Sequence, residues 1–264
     1  MSIPQDFLSV NFRSHIGIDY SGAAKPETRS ATIQVYACDG DTEPNQVYSP
    51  SSTKSQRRNW NRRELASWLV ETLNQNNHCL VGIDHGFSFP ITYFKRYQLE
   101  SWASFINDFV EHWPTHQAGA TVEQYRSSSK RTGDARDLRL TEQWTSSAKS
   151  VFRFDVQGSV AKSTHAGLPF LRKLRDEVPN LHFWPFDGWG FLDDSSVVFE
   201  TYPSLFRNRY ERETRTVDQQ DAYSICCWLL DMNRLGRLEE FASPPLSNEQ
   251  RAIANLEGWI FGVF

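Results

Sequence analysis

His15-Ile-Gly-Ile-Asp19-Tyr-Ser-Gly-Ala23 is a short apolar, β-branched run that ends in an acid and a glycine turn. A run of this kind reads as a central strand. An acid at its carboxyl end stands where ligands and reactive groups collect in open α/β sheets. The pattern returns at Leu80-Val-Gly-Ile-Asp84-His-Gly86. Two strands that deliver two acids to one sheet edge are therefore the organising feature of the chain. The plainer alternative is that each Asp only starts a turn, as Asp commonly does.

Outward from these two strands, Ser30 to Ala37 alternates β-branched and polar residues and predicts a strand antiparallel to the first, with a third short strand near Gln46 to Ser49. Phe7, Leu8 and Val10, in a leader of residues 1–14, could dock as an added edge. Leu65, Trp68, Leu69 and Leu73 recur at helical spacing behind Asn61, a plausible cap. That helix runs straight into the Asp84 strand. The pair makes a crossover unit, which should be right-handed and lay the second strand parallel to an earlier one. From Pro90 to about Pro114 the pattern is helical and aromatic, the signature of core. Glu123 to Arg139 turns polar and basic and reads as a mobile loop. Ser150-Val-Phe-Arg-Phe-Asp155 is strand-like, and a helix follows from about Leu168 to Val178. His182-Phe-Trp-Pro-Phe186 and Ser196-Val-Val-Phe-Glu200 read as further strands. Capping boxes at Thr216 to Gln219 and Ser247 to Gln250 open the last two long helices.

A chain of 264 residues with 14% aromatic content can bury a sizeable core. Its formal net charge of −4 excludes a global basic field, so any contact with nucleic acid must use a local patch. Cys38, Cys79, Cys226 and Cys227 lack metal or redox spacing and read as reduced core thiols. No basic start with an apolar run and no membrane-length segment is present, which predicts a cytoplasmic protein with no membrane partner.

In the helix opened by Thr216, the apolar stripe Ala222, Ile225, Cys226, Leu229 and Met232 extends backwards onto Asp221 and Asp218. The helix dipole accounts for an acid in the first turn, such as Asp218, but not for Asp221 one turn later. If the helix crosses the two strands, Asp19, Asp84, Asp218 and Asp221 converge. Clustered carboxylates repel unless a cation neutralises them, and hard oxygen donors without His or Cys favour Mg²⁺ or Mn²⁺. Two such ions can activate a water and stabilise the leaving oxygen of a phosphodiester. Arg126, Lys130, Arg131 and Arg136 in the basic loop are candidates to grip substrate phosphate, against the reading of a solvated loop with its own Asp134 and Asp137. Arg57, Arg58, Arg62 and Arg63 form a second basic group, better explained as a helix face. His85 and His165 are candidate proton shuttles, although a lone His is more often a core residue.

The fragments GIDYSGA, VGIDHGFSFP, SAKSVFRFD, GLPFL, WPFD, ETYP, DQQDAYS and EGWIFG occur in this order from about Ile16 to Gly262. Together they resemble a predicted-nuclease family of the ribonuclease H-like superfamily, domain of unknown function 429. The resemblance implies one α/β domain over residues 1–264, a ribonuclease H-like mixed five-stranded sheet flanked by helices, and a helical insertion at about 90–190. It also implies metal ligands at Asp19, Asp84, Asp218 and Asp221. Glu200 in ETYP matches a family acid that either supports the ligands or replaces one, and His85 is a neighbour that could support them. The expected activity is hydrolysis of nucleic acid with Mg²⁺ or Mn²⁺. Two other readings remain: an ATP-dependent phosphotransferase of the actin-like and sugar-kinase type, and a catalytically silent binding module on the same fold.

Overall fold

The computed structural model describes residues 12–51, 60–76, 78–145, 147–156, 160–192 and 194–264. The expected edge at Phe7, Leu8 and Val10, and the Arg57–Arg58 half of the second basic group, lie outside them. In chain order the elements are strands β1 (Ser14–Asp19), β2 (Gln34–Asp39) and β3 (Asn45–Gln46), helix α1 (Arg62–Gln75), and strand β4 (Cys79–Asp84). Helices α2 (Ile91–Tyr97), α3 (Trp102–His112), α4 (Val122–Ser128), α5 (Leu140–Trp144) and α6 (Val160–Glu177) follow. Strands β5 (Leu181–Phe183) and β6 (Ser196–Glu200) then precede helices α7 (Val217–Arg234), α8 (Leu238–Ala242) and α9 (Asn248–Glu257).

The fold is α/β, with a mixed six-stranded sheet in the order β3-β2-β1-β4-β6-β5 and helices on its faces. β2 and β3 are antiparallel, while β1, β4, β6 and β5 are parallel. The sheet has one strand more than the five that the resemblance implies, and the strand read at His182 is Leu181–Phe183, an outer edge on β6. Asn61 caps α1 as expected, its side chain accepting from the Glu64 N–H at 2.9 Å. Among the described residues no helix is long and apolar enough to cross a membrane.

Alternation along β1 decides what each face carries. Ile16 and Ile18 join Val81 and Ile83 of β4 in one core with Leu65 and Leu69 of α1 and Leu171 and Leu174 of α6. Each such fully buried aliphatic side chain contributes about 1.5–3 kcal/mol. His15, Gly17 and Asp19 face the other way, toward α7. There glycine is required: a Cβ on Gly17 would stand 2.2 Å from the Ala222 carbonyl, and one on Gly82 would stand 2.5 Å from an Ile225 methyl. The bare backbone at these two positions lets α7 lie directly on the two central strands.

Two expectations are corrected here. Within the basic segment Glu123 to Arg139, Val122–Ser128 is a helix, capped by Thr121 through the Gln124 N–H at 3.3 Å. Ser150 to Asp155 is a series of turns rather than a strand. Val151 and Phe152 are buried there by packing among aromatic rings, with Phe152 4.5 Å from Phe89 between centroids. Hydrophobic alternation over so few residues does not separate these two ways of burying a side chain.

A candidate carboxylate site at the sheet edge

The two G-I-D runs end in register: Asp19 and Asp84 are paired positions of neighbouring parallel strands. Paired residues on parallel strands project to the same face, and strands lie about 4.8 Å apart. The face is that of Gly17 and Gly82, so both acids point toward the N-terminal end of α7. Thr216 caps that end, with its hydroxyl accepting from the Gln219 N–H at 3.2 Å, which places Asp218 in the first turn and Asp221 in the next. The structure thus brings together all four acids expected from sequence.

Their electrostatics show the strain of that meeting. Burial, followed by repulsion from Asp84, Asp218 and Asp221, raises the Asp19 carboxyl well above the usual range, and Asp19 hydrogen-bonds Asp218. A hydrogen bond between two carboxyls requires a proton on one of them, and the raised proton affinity of Asp19 favours it there. Burial and the charges of Asp221 and Glu200 push Asp84 up to about 8. Asp218 and Asp221 are raised as well, chiefly by burial. Arg207 faces them, 3.4 Å from both carboxylate oxygens of Asp221.

The donor set fits a divalent cation. It consists of hard oxygens whose mutual repulsion a cation would relieve, and beside it the buried Thr201 hydroxyl has no hydrogen-bond partner among the described residues. As the side chains stand, no group of three or more acid, His or Cys side chains among the described residues is close-set enough to hold an ion. Binding one therefore requires side-chain rotation on a backbone already in place.

Glu200, although it lines the same cleft, and His85 point away from the four acids, and alternation explains both. Glu200 pairs with Ile83, so it projects to the face opposite Asp84. There its oxygens take a fork from Arg139 at 2.6 and 2.7 Å and the Phe87 N–H at 3.0 Å. His85 is one residue past Asp84 and likewise turns away. Its Nδ1 lies 2.9 Å from the Gly86 carbonyl, its ring packs edge-on against Tyr20, and burial lowers it to about 4. It is a neutral core histidine. His165 is another: burial lowers it to about 3, and it sits among Phe89, Phe109 and Trp113.

The acids open into a cleft of about 780 Å³. None of the four cations expected to grip phosphate is among its described lining residues. Arg131 is tied to Asp108 at 2.6 Å and lies over the Tyr97 ring, Arg126 lies over Phe154, and Arg136 pairs with Asp134 at 2.7 Å. Lys130 is exposed elsewhere. The cations among its described lining residues are Lys149, Lys162, Arg207 and Arg139, the last of them buried against Glu142 and Glu200. Lys162 is paired with Glu123, leaving Lys149 exposed on the rim. Lys149 lies within the quoted fragment SAKSVFRFD, so a signal for it existed; Arg207 carried none. In the second basic group, Arg62 is buried and donates to the carbonyls of Ala23 and Ala24 at 2.7 and 3.0 Å, fixing the turn after Asp19.

These shifts predict a pH dependence. A carboxyl whose folded pKa is raised keeps a proton that the unfolded chain has already lost. Stability of the metal-free protein should therefore fall as pH rises from about 4, where unfolded carboxyls titrate, toward the value of about 8 for Asp84. Thermal unfolding in chelator should show a Tm lower at pH 8 than at pH 5.5 by about 5 °C or more, equivalent to roughly 2 kcal/mol. Asp84→Asn should flatten the difference. A Tm that rises over this window, or a slope unchanged in Asp84→Asn, would contradict the assignment.

Compared with protein-family models, curated proteins and solved structures, the chain matches none.

Proposed function

We propose that the chain is a divalent-metal-dependent phosphodiesterase acting on nucleic acid, with a ribonuclease H-like fold of the predicted-nuclease kind that its sequence resembles. The observation that carries this reading is the in-register pair Asp19 and Asp84 facing the D-x-x-D turn of α7 across two glycines. The meeting of strand-borne acids with a late helical acid pair resembles the arrangement of the ribonuclease H-like superfamily.

Mg²⁺ or Mn²⁺ would be held by Asp19, Asp84, Asp218 and Asp221. When bound, such ions supply a polarised phosphoryl oxygen and a water acidified toward neutral pH. The protein's own groups do the positioning. Arg207 stands beside Asp221, on the cleft wall, where its guanidinium can turn from that carboxylate to a phosphate oxygen. The Thr201 hydroxyl, without a hydrogen-bond partner among the described residues, can donate to substrate at the same wall. Lys149 supplies charge at the rim, offsetting an acidic protein that would otherwise repel a polyanion.

A panel of labelled single-stranded and structured DNA and RNA, incubated with Mn²⁺ at low salt, should show slow cleavage. Lys149→Ala should raise KM about tenfold with kcat little changed, the effect of losing roughly 1.4 kcal/mol of phosphate binding. Arg131→Ala should leave KM unchanged, since its guanidinium is committed to Asp108 and Tyr97. A panel left uncut would reject the nuclease reading, and a raised KM in Arg131→Ala alone would return the substrate to the basic segment.

A further inference from the structure

We propose that Cys38 of β2 and Cys226 of α7 form a reversible disulfide that ties the sheet to the helix carrying Asp218 and Asp221, with a hydroperoxide as the oxidant. The two sulfurs are 3.7 Å apart, although 188 residues separate them in the chain. They must close to the about 2.05 Å of an S–S bond, a movement within reach of side-chain rotation and a small shift of β2, whose outer neighbour is only the two-residue β3.

The surroundings distinguish the two thiols. Cys38 is the register partner of His15 across β1 and β2, and its sulfur lies 3.8 Å from the His15 Nδ1. The other His15 nitrogen is buried and has no hydrogen-bond partner among the described residues. Contacts with Cys226 and His15 lower the Cys38 thiol to about 6, so it is the nucleophile of the pair. Cys226 is fully buried, donates its thiol proton to the His15 carbonyl at 3.2 Å, and is raised by burial. Cys227, the next residue, projects about 100° around the helix and engages Tyr223 instead.

The chemistry balances with one hydroperoxide. The Cys38 sulfur attacks a peroxide oxygen, the O–O bond breaks, and the departing oxygen takes the thiol proton to leave as water, or as an alcohol from an organic peroxide. Cys38 is then a sulfenic acid. The Cys226 sulfur attacks the Cys38 sulfur, the S–O bond breaks, and the hydroxyl leaves as water with the Cys226 proton. Two thiols are oxidised and one peroxide is reduced. Because α7 already rests on the bare backbone of Gly17, the bond would lock the helix to β2 beside β1, the strand that carries Asp19.

The test uses the full chain treated with hydrogen peroxide. Digestion without reductant should give a peptide linking Cys38 to Cys226. Thiols titratable in denaturant should fall from the four free cysteines to two, and dithiothreitol should restore them. The oxidised protein should melt several degrees higher than the reduced one, as expected for closing a long loop. Cys79→Ser should leave the linked peptide in place, and Cys226→Ser should leave Cys38 as a sulfenic acid that dimedone traps. Retention of all four thiols, a Cys38 that advances to sulfinic acid while Cys226 stays free, or a link to any other cysteine or between molecules would each overturn the proposal. Mapping on the wild-type chain decides it even if a variant fails to fold.

Discussion

Asp19→Asn is expected to lower metal-dependent cleavage at least about 1000-fold, the factor that roughly 4 kcal/mol of lost transition-state stabilisation removes, while raising the Tm of the metal-free protein. The two effects share one cause. Asp19 is buried at the meeting point of three other carboxyls, and both its burial and their charge raise its proton affinity. Asparagine keeps the shape and the donor that hydrogen-bonds Asp218, but carries no charge to repel its neighbours and no second oxygen of carboxylate strength. Sites built for function at a cost in stability gain stability when the cost is removed. Steady-state cleavage and calorimetry on the same preparation separate the possibilities. A large drop in Tm would identify Asp19 as a structural residue, and undiminished cleavage would place the chemistry elsewhere.

The second large effect is on folding. Arg139→Ala should destabilise the protein by about 3–5 kcal/mol, the usual consequence of stranding buried charge. Arg139 is fully buried, forks onto Glu200 at 2.6 and 2.7 Å, and reaches Glu142 at 2.9 Å. Removing the guanidinium leaves two carboxylates in the interior without a cation. A lowered urea midpoint with unchanged slope would report this. A loss below about 1 kcal/mol would mean that water or nearby N–H groups already satisfy both acids.

The central strands and their acids were legible because a two-residue period is short enough to read locally. In Gly17-Ile18-Asp19 and again in Gly82-Ile83-Asp84, the acid and the glycine share a face, and the glycine marks where a helix backbone comes close. For Glu200, which the resemblance singled out, the same arithmetic fixes the direction only once the pairing is known. Its register partner is Ile83 rather than Asp84, and register is a property of the pairing, which no single strand displays. His85 followed the same logic. The basic segment misled for another reason: the partners that occupy Arg131 and Arg126, namely Asp108, Tyr97 and Phe154, are remote in sequence. Free cations and neutralised ones look identical in a string of letters. Lys149 and Arg207 reach the cleft from segments remote in sequence, and only the folded chain shows that they line the same cleft.

The central claim is that the four carboxylates at the sheet edge form a divalent-cation site. Anomalous diffraction from crystals soaked in Mn²⁺ tests it most directly. The account predicts at least one manganese peak bounded by Asp19, Asp84 and Asp221, lost in Asp19→Asn. Saturating Mn²⁺ with no peak at these acids, or a peak there that persists unchanged in Asp19→Asn, would contradict it.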